Sequence, residues 1–207
     1  MRTPAWALAK SIRLDLDEFG SAFADAWSRI ESRFLKLECR QAYRELEASA
    51  SQAAYERGDI EAACTLLRQE AEADRPLYED VRRRGIEYAR VRLVQEPLTD
   101  YLAYELLSYR IRADMGESIE VVVCDAALRL PDEHHFDFLL FNRHTTLIHD
   151  YGVRKVGLQT GGWLTHEPEV IATLEQTITT LHRSAVPLQT YLASIRPGRS
   201  EHGPLPI

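Results

Sequence analysis

Lysine is nearly missing from this 207-residue chain: Lys10, Lys36 and Lys155 are the only ones, and arginine carries the remaining positive charge. An arginine bias of this kind follows codon usage and is given no functional weight. Cysteine is equally sparse. Cys39, Cys64 and Cys124 are odd in number, widely spaced and without a C-x-x-C pair, which argues against a disulfide framework or a cysteine zinc site. They read as small buried hydrophobes. No run of about 18 apolar residues occurs, so no membrane-spanning helix and no membrane partner are expected. The N-terminus meets Lys10, Arg13 and Asp15 too early for the apolar segment of a signal peptide, and the expected location is cytoplasmic. A net charge of -7 argues against non-specific attraction to polyanions, so direct nucleic-acid binding is not expected.

Several signatures are also missing. There is no G-x-S-x-G, no G-x-x-x-x-G-K-[ST] and no G-x-G-x-x-G. Gly161-Gly162 by itself is too little to cradle a phosphate. His134, His135, His144 and His149, with Asp132, Glu133, Asp137 and Asp150 nearby, invite a metal reading. They lack H-E-x-x-H, H-x-x-E-H or paired Cys/His spacing, so neither a metal nor another cofactor is expected.

What is present is enough apolar content, 45%, for one sizeable core. Leu16, Phe19, Phe23, Trp27 and Ile30 recur at three- and four-residue spacing and predict an amphipathic helix over 15–30. Phe34 to Cys39 fits a strand or a helix continuation. Helical signal runs through 42–56, stops at Gly58-Asp59 and resumes with Ile60, Ala63, Leu67 and Ala71; Pro76 predicts a break near Asp74.

From Ile86 the period changes to two, Ala89, Val91 and Leu93 alternating with Tyr88, Arg90 and Arg92. Thr99 caps a following helix that closes at Met115-Gly116, and Ile119 to Cys124 is a second strand, so the unit predicts a right-handed βαβ with parallel strands. Phe136 to Phe141 and Thr145 to Tyr151 predict an antiparallel hairpin around Asn142-Arg143-His144. Gly157 to Gly162 reads as a turn or loose strand end. A last helix is expected from Thr165 to Pro187.

The predicted class is α/β, a mixed twisted sheet of roughly four to six strands with an N-terminal helical layer and a C-terminal helix. Residues 1–85 form the N-terminal helical region, 86–193 the sheet region packed with it as a single domain, and 194–207 a disordered tail.

A loop of residues 142–144 sets Asp137 opposite His149 and His135 opposite Tyr151 on one face. The carboxylate beside the imidazole is expected to raise the histidine's pKa and give a proton-handling pair, or else a cross-strand salt bridge that fixes register. Arg90 and Arg92, on a neighbouring strand, complete a candidate ligand site of Arg90, Arg92, His135, Asp137, His149 and Tyr151.

His135-Phe136-Asp137 and the hairpin through Asn142 resemble a phospholipase D-like half-domain, where H-x-K-x4-D supplies a histidine nucleophile and a phosphate-holding lysine. Asp137 stands at the lysine position and Asn142 at the aspartate position, and a carboxylate there repels a phosphodiester. A closer resemblance covers residues 15–193. Arg90-Val91-Arg92, Glu96-Pro97, Tyr101, Gly116-Glu117, Phe136-Asp137-Phe138-Leu139, Phe141 and Tyr151-Gly152 resemble a domain-of-unknown-function family of high-G+C bacteria, often encoded beside helix-turn-helix regulators. The resemblance implies a non-catalytic regulatory or interaction protein that works with a transcriptional regulator or binds a small ligand; a homodimer is the arrangement that could pair two half-sites of the phospholipase D-like kind. The alternative is a divergent phosphodiesterase using His135, Asp137 and His149.

Overall fold

The structure is a computed structural model that describes residues 3–43, 49–124, 132–152 and 157–195. Among the described residues the strands are β1 (Ile12–Leu14), β2 (Arg33–Glu38), β3 (Glu87–Val94), β4 (Ile119–Val123), β5 (Phe138–Phe141), β6 (Thr145–Asp150), β7 (Gly161–Thr165) and β8 (Val186–Pro187). The helices are α1 (Leu16–Ser28), α2 (Ala50–Glu56), α3 (Ile60–Glu72), α4 (Arg75–Arg84), α5 (Asp100–Asp114), α6 (Pro168–His182) and α7 (Leu188–Ser194). All eight strands join one mixed sheet in the order β1-β7-β6-β5-β2-β3-β4-β8.

The centre of the sheet follows the sequence pattern. β2, β3 and β4 are parallel neighbours, and α5 makes the crossover from β3 to β4. The Thr99 hydroxyl caps α5 by accepting from Leu102 N–H at 3.1 Å. Asp15 and Glu18 form a reciprocal capping box at the start of α1. α3 and α4 meet at Asp74, where Pro76 in the first turn of α4 prevents a continuous helix. The β5–β6 hairpin pairs Phe138 with Ile148 and Phe141 with Thr145, the expected register.

Asn142 explains itself in this setting. It starts the hairpin loop at φ 53°, a left-handed conformation that asparagine tolerates well. Its Oδ1 accepts from the Glu31 and Ser32 N–H groups at 2.9 and 3.0 Å, and its Nδ2 donates to the Arg29 carbonyl at 3.2 Å. The residue ties the loop to the α1–β2 connection. An aspartate could not supply the Nδ2 donor.

The margins depart from the sequence reading. The sheet has eight strands rather than four to six, because β1, β7 and β8 extend both sides. The region read as N-terminal helices also contributes β1 and the central β2. Of the helix expected over 42–56, residues 50–56 form α2 behind Ser49, whose hydroxyl accepts from Gln52 N–H, and 44–48 lie outside the described residues. The last helix is two: α6 ends at His182, β8 pairs with β4, and α7 follows. The expected tail lies outside the described residues from 196 onward.

Gly161-Gly162 has a packing role. Gly161 holds φ +135°, and a Cβ there would lie 2.2 Å from the Leu14 carbonyl. A Cβ on Gly162 would lie 2.5 Å from the Phe19 ring and 2.3 Å from the Ile148 carbonyl. The pair therefore lets β1 and α1 close onto β7. Gly162→Ala is expected to cost ~1–3 kcal/mol through overpacking and to lower Tm by several degrees in calorimetry; an unchanged melt would show that the Phe19 ring and the Ile148 backbone both give way.

Both faces of the sheet are covered. Leu35, Leu37, Val91, Phe138 and Ile148 pack against α6. On the other face α1 covers Phe34, Leu139 and Leu147, while α5 and α7 cover Val94 and Val121. Between these two apolar patches the alternation of β2 and β3 leaves a polar strip, Lys36 and Glu38 beside Arg90 and Arg92.

Candidate ligand-binding cleft

The polar strip opens at the carboxyl ends of β2 and β3, the edge where open α/β sheets form crevices. The antiparallel neighbours bring their own groups to that edge. Asp137 immediately precedes β5, His149 lies near the end of β6, and Tyr151 follows it. Tyr43 follows β2, and Tyr101 sits in the first turn of α5. These residues line a pocket of about 190 Å³ together with Lys36, Glu38, Glu105, Gly157 and Gln159.

Asp137 is buried and works as an acceptor for its own loop. One carboxylate oxygen accepts from the Cys39 N–H at 2.7 Å, and the other from the Tyr43 and Tyr151 hydroxyls at 2.6 and 2.5 Å. Burial and the adjacent Asp137 charge hold both phenols above their ordinary pKa, so they remain donors. The carboxylate thus fixes two aromatic walls of the pocket.

The charges behind the pocket neutralise one another. Arg90 reaches Glu38 at 2.9 Å and Glu117 at 2.7 Å. Arg92, fully buried, pairs with Glu105 at 2.8 Å and donates to the Glu38, Leu93 and Arg40 carbonyls. Lys36 lies 2.7 Å from Glu38. Burial disfavours ionising Glu38, but Arg90, Lys36 and Arg92 outweigh it and hold the carboxyl well below its usual range. Glu105 goes the other way: burial pushes it up to about 7 against the pull of Arg92.

The expectation for His149 is corrected. Its N–H donates to the Asp137 carbonyl at 3.1 Å, so the two residues are cross-strand neighbours, yet the imidazole is not a raised-pKa partner of the carboxylate. Burial, with Lys36 adding to it, pushes the ring down to about 4, and Asp137 only partly opposes this. The ring packs between Phe19, centroids 5.0 Å apart, and Tyr151, 5.9 Å apart and stacked. Neither ring nitrogen makes a hydrogen bond of ordinary length and angle, though the Gln159 side chain lies close enough to oppose the downward shift.

This has a pH signature. His149 falls from 6.5 to about 4 on folding, so stability present above pH 6.5 is lost as pH drops toward 4, by about 3 kcal/mol. Glu105 rises from 4.5 to about 7, so its contribution is complete below pH 4.5 and is lost as pH climbs to 7. The slopes oppose each other. In His149→Phe the first is gone, and urea denaturation should show stability increasing from pH 7 to pH 5; a wild-type profile in the variant would contradict the assignment.

Of the six expected site residues, the pocket gathers Asp137, His149 and Tyr151. Arg90 and Arg92 lie behind its wall, tied to carboxylates, and His135 is not among the lining residues. Lys36, Glu38, Tyr43, Glu105 and Gln159 escaped the sequence reading, and Tyr101 was named there only as a family landmark and not as a site residue. Lys36 and Glu38 had a signal, since they alternate with Leu35 and Leu37 as Arg90 and Arg92 alternate with Val91 and Leu93. Among the described residues no group of three or more His, Cys, Asp or Glu is placed to hold a metal ion, and no helix is long and apolar enough to cross a membrane.

A family model described as a domain of unknown function, DUF6879, matches residues 21–193. The chain belongs to the DUF6879 family. The match contains every pocket residue, so the cleft lies within the DUF6879 domain. No curated protein matches the chain. Among solved structures, this DUF6879 chain is similar to TrmBL2, described as an archaeal chromatin protein with a novel mode of DNA binding. The TM-score is 0.39 at 11% identity, covering 85% of this chain and 53% of that one. The chain therefore spans about half the length of TrmBL2. The expectation against direct nucleic-acid binding is withdrawn, because a net charge averages over a whole surface and does not exclude local contacts. A likeness at that level transfers no activity, and the DNA binding belongs to TrmBL2.

Proposed function

We propose that this DUF6879 protein is a non-catalytic regulatory domain that binds a small ligand in the cleft at the carboxyl ends of β2 and β3. One observation carries the reading: the pocket's charged groups are each engaged within the protein, leaving aromatic walls and a neutral imidazole facing the space. Catalysis needs a group free to give or take a proton or to attack. Asp137 is occupied by three donors, and His149 is neutral throughout the physiological range. The phosphodiesterase alternative, with its phospholipase D-like half-domain, requires Arg90 and Arg92 to hold an anion, and both already hold carboxylates.

The test is protein-detected NMR screening of a fragment library. Hits should shift the His149, Tyr151 and Lys36 resonances together and weaken in Gln159→Ala. A screen without cleft hits would sink the reading, as would hydrolysis of bis-p-nitrophenyl phosphate that disappears in His135→Ala.

A further inference from the structure

We infer that the cleft takes a small, flat, uncharged ring with an amide-like edge, the class of aromatic carboxamides and lactam heterocycles. This rests on the ligand-binding reading above and names the chemistry of that site. Size sets the first bound. The pocket measures about 190 Å³, and an engineered protein cavity of about 150 Å³ admits benzene, so one substituted ring fits.

Shape and charge set the next two. Tyr43, Tyr101, His149 and Tyr151 line the pocket, with Tyr43 packed 5.6 Å from both Tyr101 and Tyr151, and an aromatic lining of this kind favours a flat guest. A charged guest finds no unused counter-charge. A cation would meet Lys36, and the Tyr151 and Tyr43 rings already carry the guanidinium groups of Arg40 and Arg92 at 4.5 and 5.7 Å. An anion would meet Glu38 and Asp137, while Lys36 is already held by Glu38 at 2.7 Å. Either would lose its hydration without compensation.

The edge follows from the unfilled groups. Neutral imidazole offers one donor and one acceptor nitrogen; both nitrogens of His149 are buried without a hydrogen bond of ordinary length and angle, and the Gln159 side chain lies beside the ring. Gln159 lines the same pocket and donates its Nε2 to the Gly161 carbonyl at 3.2 Å, so its side-chain oxygen is the group that acts on the imidazole, at a separation a guest can bridge. A guest whose carbonyl accepts from the His149 N–H and whose N–H reaches the Gln159 oxygen answers both groups at once.

Three probes of one shape separate the classes: benzamide, benzoate and benzylamine, titrated at pH 7 into the full chain and into His149→Phe. The variant keeps an aromatic ring against Phe19 but removes both nitrogens. Benzamide should bind at least about ten-fold tighter than either charged probe, shift Tyr151 and Gln159 resonances, and weaken at least about ten-fold in His149→Phe, with the variant's melt no lower than wild type. Tighter binding of benzoate or benzylamine would overturn the uncharged class and leave the ligand-binding reading standing. Benzamide binding indifferent to His149→Phe would overturn the edge assignment. If no probe binds while library fragments do, the ring class falls alone; if neither binds, both readings fall.

Discussion

Arg92→Leu is expected to lower the unfolding free energy by about 3–5 kcal/mol, the usual cost of removing one partner from a buried ion pair. Arg92 is fully buried, and its loss strands the Glu105 carboxyl along with the carbonyls of Glu38, Leu93 and Arg40. Unpaired buried acceptors bear their full desolvation penalty. Urea denaturation reads the effect directly. The double variant Arg92→Leu/Glu105→Leu should recover part of the loss, because it removes the stranded carboxyl. A single-variant loss below about 1 kcal/mol, the scale of an exposed pair, would mean that the strip is hydrated.

Asp137→Ala should be nearly as damaging and should also abolish ligand binding. It leaves the Cys39 N–H and the Tyr43 and Tyr151 hydroxyls without their acceptor. Hydrogen bonds to a charged group contribute about 1.5–3 kcal/mol each. These bonds share one carboxylate and will not add, so a total of about 3–5 kcal/mol is expected, or roughly 10 °C in Tm for a chain of this length. A double-mutant cycle between Asp137→Ala and Tyr151→Phe should show strong coupling. Independent effects would mean that the carboxylate does not position the tyrosine.

The fold was legible wherever one segment's own pattern decides its structure. The βαβ unit declared itself through the alternation of Arg90 and Arg92 with Val91 and Leu93. The hairpin register followed from loop length alone, which is why Asp137 and His149 were rightly set side by side. β1 and β8 were not legible, because strands of three and two residues are defined by their partners. β7 was hidden by Gly161-Gly162, which reads as a turn but serves close packing. At the site, adjacency was readable and electrostatics were not. The sequence places a carboxylate beside His149 but says nothing of its burial, and burial sets the sign of the pKa shift. Tyr43 and Tyr101 reach the cleft from segments whose positions depend on tertiary packing; Tyr43 carries no motif, and Tyr101 as a family landmark did not reveal where its ring lies.

The proposed role of the cleft in binding rather than catalysis rests on Asp137 being consumed as a structural acceptor and on His149 staying neutral. An NMR pH titration of the His149 ring carbon and proton resonances in the 207-residue chain is the deciding test. The ring should remain neutral from pH 8 down to pH 5.5 and titrate near 4. A midpoint at or above the ordinary histidine value of 6.5, lowered by Asp137→Asn, would show a working carboxylate–imidazole pair and contradict the account.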